Sequence, residues 1–276
     1  MKYTLKLAAS DLDGTFLTPS GEVGPKTQEI LKMMNEKGIL FVPCTGRAYK
    51  EAPDYFKENE QFKYLVTSNG ALISNRHGYP IQTLALSMEK AREVMNLVHP
   101  ISSYWTVDVD GVLYCSETLS DDKELVGETE ERIQEFRTTR TFCYDYDFLN
   151  RDEGTVRKLH FMVKNPEHKQ EILNALKDVQ DVMITWSSHS NVEVQHPLCG
   201  KGKALEIVME MEQIDKSQTV GFGDNTNDLS LFEAVGLKVA VENASQDLKE
   251  AADDIALSNK VEGAAVYLEK LLGGTE

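Results

Sequence analysis

Short apolar runs alternate in the first third of the chain with a segment whose apolar residues recur at helical spacing. The run 5–9 predicts a buried strand, and the stretch that begins at Pro25 predicts a helix with Gly38 just past its end. The runs 39–44 and 64–67 predict a second and a third strand. This alternation is typical of β-α-β units around a parallel sheet.

The last third of the chain resumes the same alternation. Its apolar pattern predicts, in order, a helix at 203–211, a strand at 219–222, a helix at 229–234, a strand at 237–241 and a helix at 262–272. The two ends of the chain therefore belong to one α/β core, which we assign to residues 1–82 and 196–276.

The middle of the chain has a different pattern, in which paired strands lie next to single helices. Predicted strands fall at 104–109, 112–115, 156–163, 182–186 and 192–194, and predicted helices at 87–98 and 166–176. Such a succession favours an α+β unit with an antiparallel sheet. Residues 83–195 are thus predicted to be an inserted α+β domain.

Composition and charge narrow the function classes. A length of 276 residues suits two domains, at about 150 residues each, or one large domain. The 45 acidic against 29 basic residues give a formal net charge of −16, which disfavours nucleic acid as a partner. No apolar run approaches the roughly 18 residues of a membrane span, Asp11 interrupts any leader-like start, and the four cysteines show no CxxC spacing. We expect a cytoplasmic protein with reduced thiols and no membrane partner.

The segment Asp11-Leu12-Asp13-Gly14-Thr15 is the most informative part of the sequence. It follows the first predicted strand, and ligands of open α/β sheets bind beyond the carboxyl ends of strands. A spacing of two places the carboxylates of Asp11 and Asp13 on the same side of an extended chain, and Gly14 allows a sharp exit. Buried carboxylates are costly without partners or a metal, so two acids after a buried strand indicate a site rather than a solvated turn.

Suitable partners follow later strands or begin later helices. Asp224, Asn227 and Asp228 come after the strand at 219–222, and Asp224 with Asp11 would form an oxygen site suited to Mg²⁺. Thr45 offers a hydroxyl, with backbone N–H groups beside it, for phosphate oxygens, and Lys201 offers a cation. Each motif alone is weak evidence, but their order along the chain is a strong signal.

These four segments, 11–15, 45–47, 201–205 and 223–228, resemble the motifs of the haloacid dehalogenase superfamily and more narrowly its Cof-like branch of sugar-phosphate phosphatases. Further similarity lies in Ser68-Asn69-Gly70-Ala71 and in the stretch from Ser258-Asn259 to Gly263. The resemblance implies a Rossmann-like parallel-sheet core with an inserted α+β cap that acts as a lid. Two departures are Ser10, where the family often has a bulky apolar residue, and Glu242, where it commonly has glycine before an asparagine.

The resemblance also implies the chemistry: Mg²⁺-dependent hydrolysis of a small-molecule phosphate monoester, with a sugar phosphate as the expected class. Asp11 would be the nucleophile that becomes phosphorylated, and Asp13 the general acid and base that also lends its carbonyl to the metal. Thr45 and Lys201 would complete the catalytic set. The remaining implied roles are metal binding by Asp11, Asp13 and Asp224, substrate binding by Thr45, Gly46, Arg47, Lys201 and Asn227, and orientation by Asp228.

Three other functions fit parts of the same pattern. A phosphomutase would use the same aspartyl-phosphate but return the phosphoryl group to a sugar. A response-regulator receiver also combines Asp, Thr, Lys and Mg²⁺, but receivers are about half this length and their acids are adjacent. A binding protein that keeps the site without turnover is disfavoured by the intact pair Asp11 and Asp13.

Overall fold

The protein is described from a computed structural model that covers residues 4–102, 104–120, 122, 125, 130–186 and 190–273. The chain forms two compact units, the first of Met1–Gln82 with Gly200–Glu276 and the second of Thr83–Cys199. Contacts thus group residues 196–199 with the second unit, whereas their sequence pattern had placed them with the core. That the two units are separate domains with the predicted boundaries stays a prediction.

Both units combine strands with helices, which are numbered along the chain. The strands are β1 (Leu7–Ser10), β2 (Leu40–Pro43), β3 (Leu65–Thr67), β4 (Leu72–Ser74), β5 (Pro80–Thr83), β6 (Leu86–Ser87), β7 (Trp105–Val109), β8 (Val112–Ser116), β9 (Arg140–Cys143), β10 (Thr155–Met162), β11 (Met183–Thr185), β12 (Asn191–Gln195), β13 (Thr219–Gly223), β14 (Leu237–Val241) and β15 (Asp254–Ala256). The helices are α1 (Pro25–Glu36), α2 (Asp54–Glu58), α3 (Met88–Val98), α4 (Glu117–Ser120), α5 (Glu130–Thr139), α6 (Pro166–Leu176), α7 (Lys201–Glu212), α8 (Leu229–Ala234), α9 (Gln246–Ala251) and α10 (Gly263–Gly273).

A parallel sheet in the order β15-β14-β13-β1-β2 forms the centre of the first unit. Every residue of β1 is buried, as expected for a parallel strand that is covered on both faces. Ser10 at the end of β1 lies in register with Pro43 of β2 and Phe222 of β13. The residues that follow these three strands therefore meet at one edge of the sheet.

The third predicted strand forms, but it does not extend the parallel sheet. β3 belongs to a three-stranded sheet in the order β3-β4-β5 and pairs with β4 in antiparallel fashion. A single parallel bridge between Cys44 and Val66 connects it to the end of β2. The loop after β3 is consequently still brought beside the loop after β2.

The second unit contains a mostly antiparallel sheet in the order β11-β12-β10-β7-β8-β9, with β6 paired to β10. Asp110 and Gly111, both with positive φ, make the tight turn between β7 and β8. Contrary to the expected antiparallel pattern, β8 and β9 run parallel, because the intervening stretch with α4 and α5 returns the chain to the same end. The predicted class, a parallel-sheet α/β core with an inserted α+β unit, is confirmed.

Composition led to two expectations about the thiols and the membrane. All four cysteines are free thiols, and Cys44, Cys115 and Cys199 are buried. Among the helices of the described residues, none combines the length and the apolar character that a membrane crossing requires. The cytoplasmic location stays a prediction.

A close helix contact fixes Lys201 at the start of α7. A Cβ placed on Gly202 would lie 1.9 Å from the backbone oxygen of Ser230 in α8, so only glycine fits there. The amide of Gly202 also donates a hydrogen bond to the Ser230 hydroxyl at 3.3 Å. The two helices therefore approach each other backbone to backbone at this point.

We expect Gly202→Ala to lower the free energy of unfolding by about 1–3 kcal/mol or more, because backbone atoms have no rotamer with which to avoid the methyl group. Urea denaturation measures the change. Gly273→Ala is the control, since a Cβ there meets nothing within 4 Å, and it should leave the unfolding midpoint in place. Equal midpoints for both variants would contradict the close contact.

Candidate active site

Lys201 lies fully buried between two carboxylates of the first unit. Its ammonium donates to Asp11 Oδ1 at 2.5 Å and to Asp228 Oδ1 at 2.6 Å. Asp11 follows β1, Lys201 begins α7, and Asp228 closes a short 3-10 turn after β13. Three segments that are distant in sequence thus meet in one buried charge cluster.

Burial and neighbouring charges shift the pKa values of this cluster in understandable directions. Burial lowers the pKa of Lys201, but Asp11 and Asp228 outweigh it and hold the ammonium charged. Burial raises the pKa of Asp11 well above its usual value; Lys201 opposes that shift, and Asp228 and Asp224 add to it. The cluster contains more negative charge than one lysine balances.

Asp224 adds a further carboxylate at the same place. Its Oδ1 accepts a hydrogen bond from the Thr15 hydroxyl at 2.9 Å, and its backbone amide donates to Asp228 Oδ2 at 3.0 Å. Burial first and Asp228 second raise the pKa of Asp224 to about 6. A Cβ on Gly14, whose φ is +80°, would lie 2.5 Å from Asp224 Oδ2, so the turn after β1 approaches Asp224 closely because residue 14 is glycine.

Asp228 uses both of its oxygens to orient its neighbours. While Oδ1 accepts from Lys201, Oδ2 accepts from the amides of Asp224 at 3.0 Å and Asn225 at 3.2 Å. Asp228 therefore fixes both the ammonium and the backbone that carries Asp224, and its oxygens are already engaged. This geometry fits an orienting residue better than a direct metal ligand.

Asp13 does not join the buried cluster. Asp11 and Asp13 keep the expected extended backbone angles (φ −60°, ψ 158° and φ −73°, ψ 123°), and left-handed Gly14 then turns the chain. That the two carboxylates share one side of the chain stays a prediction. The Asp13 carboxylate is half exposed and paired with Arg47, whose Nε and Nη2 donate to it at 2.7 and 2.5 Å. Arg47 is thus bound to the predicted general acid in this structure.

The loop after β2 is held by the loop after β3. The amide of Thr45 donates to the carbonyl of Val66, and Asn69 and Ser68 donate their amides to the carbonyls of Thr45 and Arg47. Within the loop, the Arg47 amide donates to the Thr45 hydroxyl oxygen at 3.1 Å. Two of the backbone amides expected to bind phosphate are therefore engaged inside the protein, whereas the buried Thr45 hydroxyl stays available as a donor.

Left-handed backbone at Ser68 and Asn69 brings a side chain into this region. Their φ values are 49° and 51°, an uncommon conformation for residues other than glycine. A Cβ placed on Gly46 would lie 2.9 Å from the carboxamide oxygen of Asn69. The same oxygen accepts a long, 3.5 Å hydrogen bond from Asn227 Nδ2. Gly46, Asn69 and Asn227 consequently lie together.

The donor set of the cluster suits a hard divalent cation. Carboxylate oxygens of Asp11, Asp224 and Asp228 lie within 4.8 Å of one another. When all are ionised, three carboxylates and the Lys201 ammonium leave two negative charges uncompensated in a buried place. Oxygen ligands and this charge deficit match Mg²⁺.

Several residues at the site were not singled out from the sequence. Thr15 binds Asp224, Asn69 contacts Asn227, and the Ser10 hydroxyl donates to the carbonyl of Asp11 at 2.7 Å. The only indication of these three residues in the sequence is their position within or next to the family motifs. Ser10, one of the two departures from the family pattern, thus binds the carbonyl of the residue that follows β1.

Comparison with known proteins gives consistent results. A family model described as haloacid dehalogenase-like hydrolase matches residues 8–268. A protein of Haemophilus influenzae named putative phosphatase is 29% identical over 270 residues, 96% of this chain and 97% of its own length. The HMP-PP phosphatase of Serratia proteamaculans is 27% identical over 271 residues, 97% of this chain and 95% of its own length.

A solved structure supports the same conclusion for the fold. A haloacid dehalogenase-like hydrolase from B. subtilis superposes with a TM-score of 0.83 at 24% identity, over 96% of this chain and 99% of that chain. The superfamily and the branch predicted from the four motifs are confirmed. The chain belongs to the haloacid dehalogenase-like hydrolases and is an enzyme of the hydrolase class.

Proposed function

We propose that the protein is an Mg²⁺-dependent phosphatase that hydrolyses small phosphate monoesters, sugar phosphates being the expected class, through a phosphorylated Asp11. The observation that carries the proposal is the carboxylate of Asp11 at the end of β1, bound to the buried Lys201 and adjacent to Asp224. The relatives named phosphatases support the reaction class.

Charge decides which groups the reaction needs. A carboxylate that approaches a phosphate is repelled by roughly 4 kcal/mol per pair of unit charges at about 4 Å and an effective dielectric constant near 20. Lys201 supplies one positive charge that binds the proposed nucleophile directly. Bound Mg²⁺, held by Asp11, Asp224 and the carbonyl of Asp13, would supply the remaining positive charge.

In the first step, an oxygen of Asp11 forms a bond to phosphorus while the ester oxygen leaves with a proton from Asp13. In the second step, Asp13 takes a proton from water, the water oxygen bonds to phosphorus, and the acyl phosphate bond breaks to release inorganic phosphate and restore Asp11. Lys201 holds the Asp11 oxygen in place in both steps. Positioning and charge neutralisation account for most of such catalysis.

Both oxygens of the Asp13 carboxyl are bound to Arg47. To reach the leaving oxygen, the Asp13 carboxyl must be free of this two-point contact with Arg47. We infer that the substrate phosphate competes for Arg47 and releases Asp13. Thr45, Gly46 and Asn227, which lie in the neighbouring loops, are the other groups proposed to bind the phosphate. Asp228 is proposed to orient Asp11 through Lys201.

We expect Asp11→Asn to abolish phosphatase activity, because an amide does not attack phosphorus, while the protein keeps its fold. The assay measures free phosphate from a panel of sugar phosphates with and without Mg²⁺, and a sugar isomer without phosphate release would identify a phosphomutase instead. The exposed Asp247 of α9 gives the control variant Asp247→Asn, which should keep full activity. Substantial turnover by Asp11→Asn would refute the assignment of the nucleophile.

Lys201→Ala is expected to lower kcat by about 100-fold or more, since removal of one preorganised donor to a reacting group has effects of this size. Lys203 lies on the same helix with its side chain exposed and paired to Glu206, so Lys203→Ala is the matched control. Steady-state rates of the two variants, at equal folded fraction, measure the difference. A kcat for Lys201→Ala within a few-fold of wild type would show that the lysine has only a structural role.

Magnesium binding should weaken as the pH falls through about 6, because Asp224 must be ionised to hold a cation and its pKa lies at about 6. The sign for stability is opposite. A carboxyl with a raised pKa in the folded state binds more protons there than in the unfolded chain, so the metal-free protein loses this contribution as the pH rises from about 4 to about 6.

Thermal unfolding with and without Mg²⁺ at pH 5 and pH 7.5 tests both statements. The Mg²⁺-induced rise in Tm should be clearly larger at pH 7.5. In Asp224→Asn the pH dependence of this rise should be reduced, since that carboxyl no longer titrates. An equal Mg²⁺ effect at the two pH values in the wild-type protein would contradict the role of Asp224 as a ligand.

A further inference from the structure

Two asparagine side chains bind the turn that follows β1 from distant parts of the sequence. Asn243, in the loop after β14, donates its Nδ2 hydrogen to the carbonyl of Gly14 at 2.7 Å. Asn259, which begins a short 3-10 turn after β15, donates its Nδ2 hydrogen to the carbonyl of Leu17 at 3.0 Å. The centre of the Leu12–Phe16 turn and the residue that follows the turn are therefore tied to the C-terminal part of the first unit.

The two asparagines are also connected to each other. The backbone amide of Asn259 donates to Oδ1 of Asn243 at 3.0 Å. This bond fixes the oxygen of the Asn243 carboxamide toward residue 259 and so directs its NH₂ group toward Gly14. The residue before Asn243 is Glu242, where the family commonly has glycine. The φ of Glu242 is not positive, so the conformation of this loop does not require glycine at position 242.

The position of the Gly14 carbonyl matters for the site on both sides of it. Residue 14 lies between Asp13, the proposed general acid, and Thr15, whose hydroxyl binds Asp224. Gly14 is left-handed and already close to Asp224, so a rotation of its peptide group would displace both neighbours. A hydrogen bond to this carbonyl therefore acts on two functional side chains at once.

We propose that Asn243, oriented by Asn259, is a positioning residue that holds the Asp13–Thr15 turn in its reactive geometry. The inference rests on the proposed function as far as Asp13 is the proton donor. Loss of the bond from Asn243 should slow the step in which Asp13 protonates the leaving group. The effect should depend on the leaving group, because a good leaving group needs little help from an acid.

Asn243→Asp is the most informative variant. Aspartate keeps the size and the acceptor for the Asn259 amide, but its second oxygen has no hydrogen to donate to Gly14. We expect kcat/KM, which reports the steps up to departure of the leaving group, to fall by about tenfold or more for phenyl phosphate and by no more than about threefold for p-nitrophenyl phosphate. Asn243→Ala should show the same difference between substrates, which excludes the added charge as its cause.

The exposed Asn35 of α1 supplies the control Asn35→Ala, which should leave both rates unchanged. Equal losses of kcat/KM on the two substrates, or no loss on either, would overturn the inference, because neither result agrees with slower protonation of the leaving group by Asp13. Absent turnover by the wild-type protein on any phosphate ester would instead overturn the proposed function.

Amide hydrogen exchange of residues 11–17 tests the positioning independently of activity. In Asn243→Asp and in Asn259→Asp, exchange in this segment should accelerate by about tenfold or more while the urea unfolding midpoint stays near that of Asn35→Ala. Unchanged exchange in both variants would overturn the inference even if the phosphatase assignment holds.

Discussion

A buried lysine between two aspartates is the interaction on which the first unit depends. Lys201 joins the end of β1, the start of α7 and the turn after β13 through its bonds to Asp11 and Asp228. A buried ammonium is unfavourable unless it is paired, and buried carboxylates are equally unfavourable without a cation. The same pairing that keeps Lys201 inside the protein therefore also brings together the groups proposed for catalysis.

The charges of this buried cluster do not cancel, and the negative charge that remains connects the structure with the proposed function. Asp224 adds a carboxylate that Lys201 does not bind, and burial with the charge of Asp228 raises its pKa to about 6. In a protein with a formal net charge of −16, an anionic substrate also meets general repulsion. A divalent cation would relieve both problems at the same place, which is why the donor set and the proposed substrate point to the same cofactor.

The sequence predicted which motif residues come directly after strands, because local apolar patterns show where a strand ends. Asp11 and Asp224 were expected beyond buried strands, and both lie there. The pairing of Asp13 with Arg47 and the bond from Asn243 to Gly14 were not predictable, since they join residues 34 and 229 positions apart. The parallel pairing of β8 with β9 was missed for a similar reason, because it depends on the path of the chain between them.

The turn after β1 shows why two aspartates only two positions apart have different surroundings. A fourth acid beside Asp11, Asp224 and Asp228 would add another uncompensated charge to a buried place. The turn of residues Leu12–Phe16, with left-handed Gly14 at its centre, instead lets the half-exposed Asp13 carboxyl pair with the guanidinium of Arg47. The carbonyl groups of such a turn cannot pair with a neighbouring strand as they would in a regular sheet. The side-chain amides of Asn243 and Asn259 bind two of these carbonyls, those of Gly14 and Leu17. The separation of the two acids and the need for these asparagines are therefore consequences of the same backbone conformation.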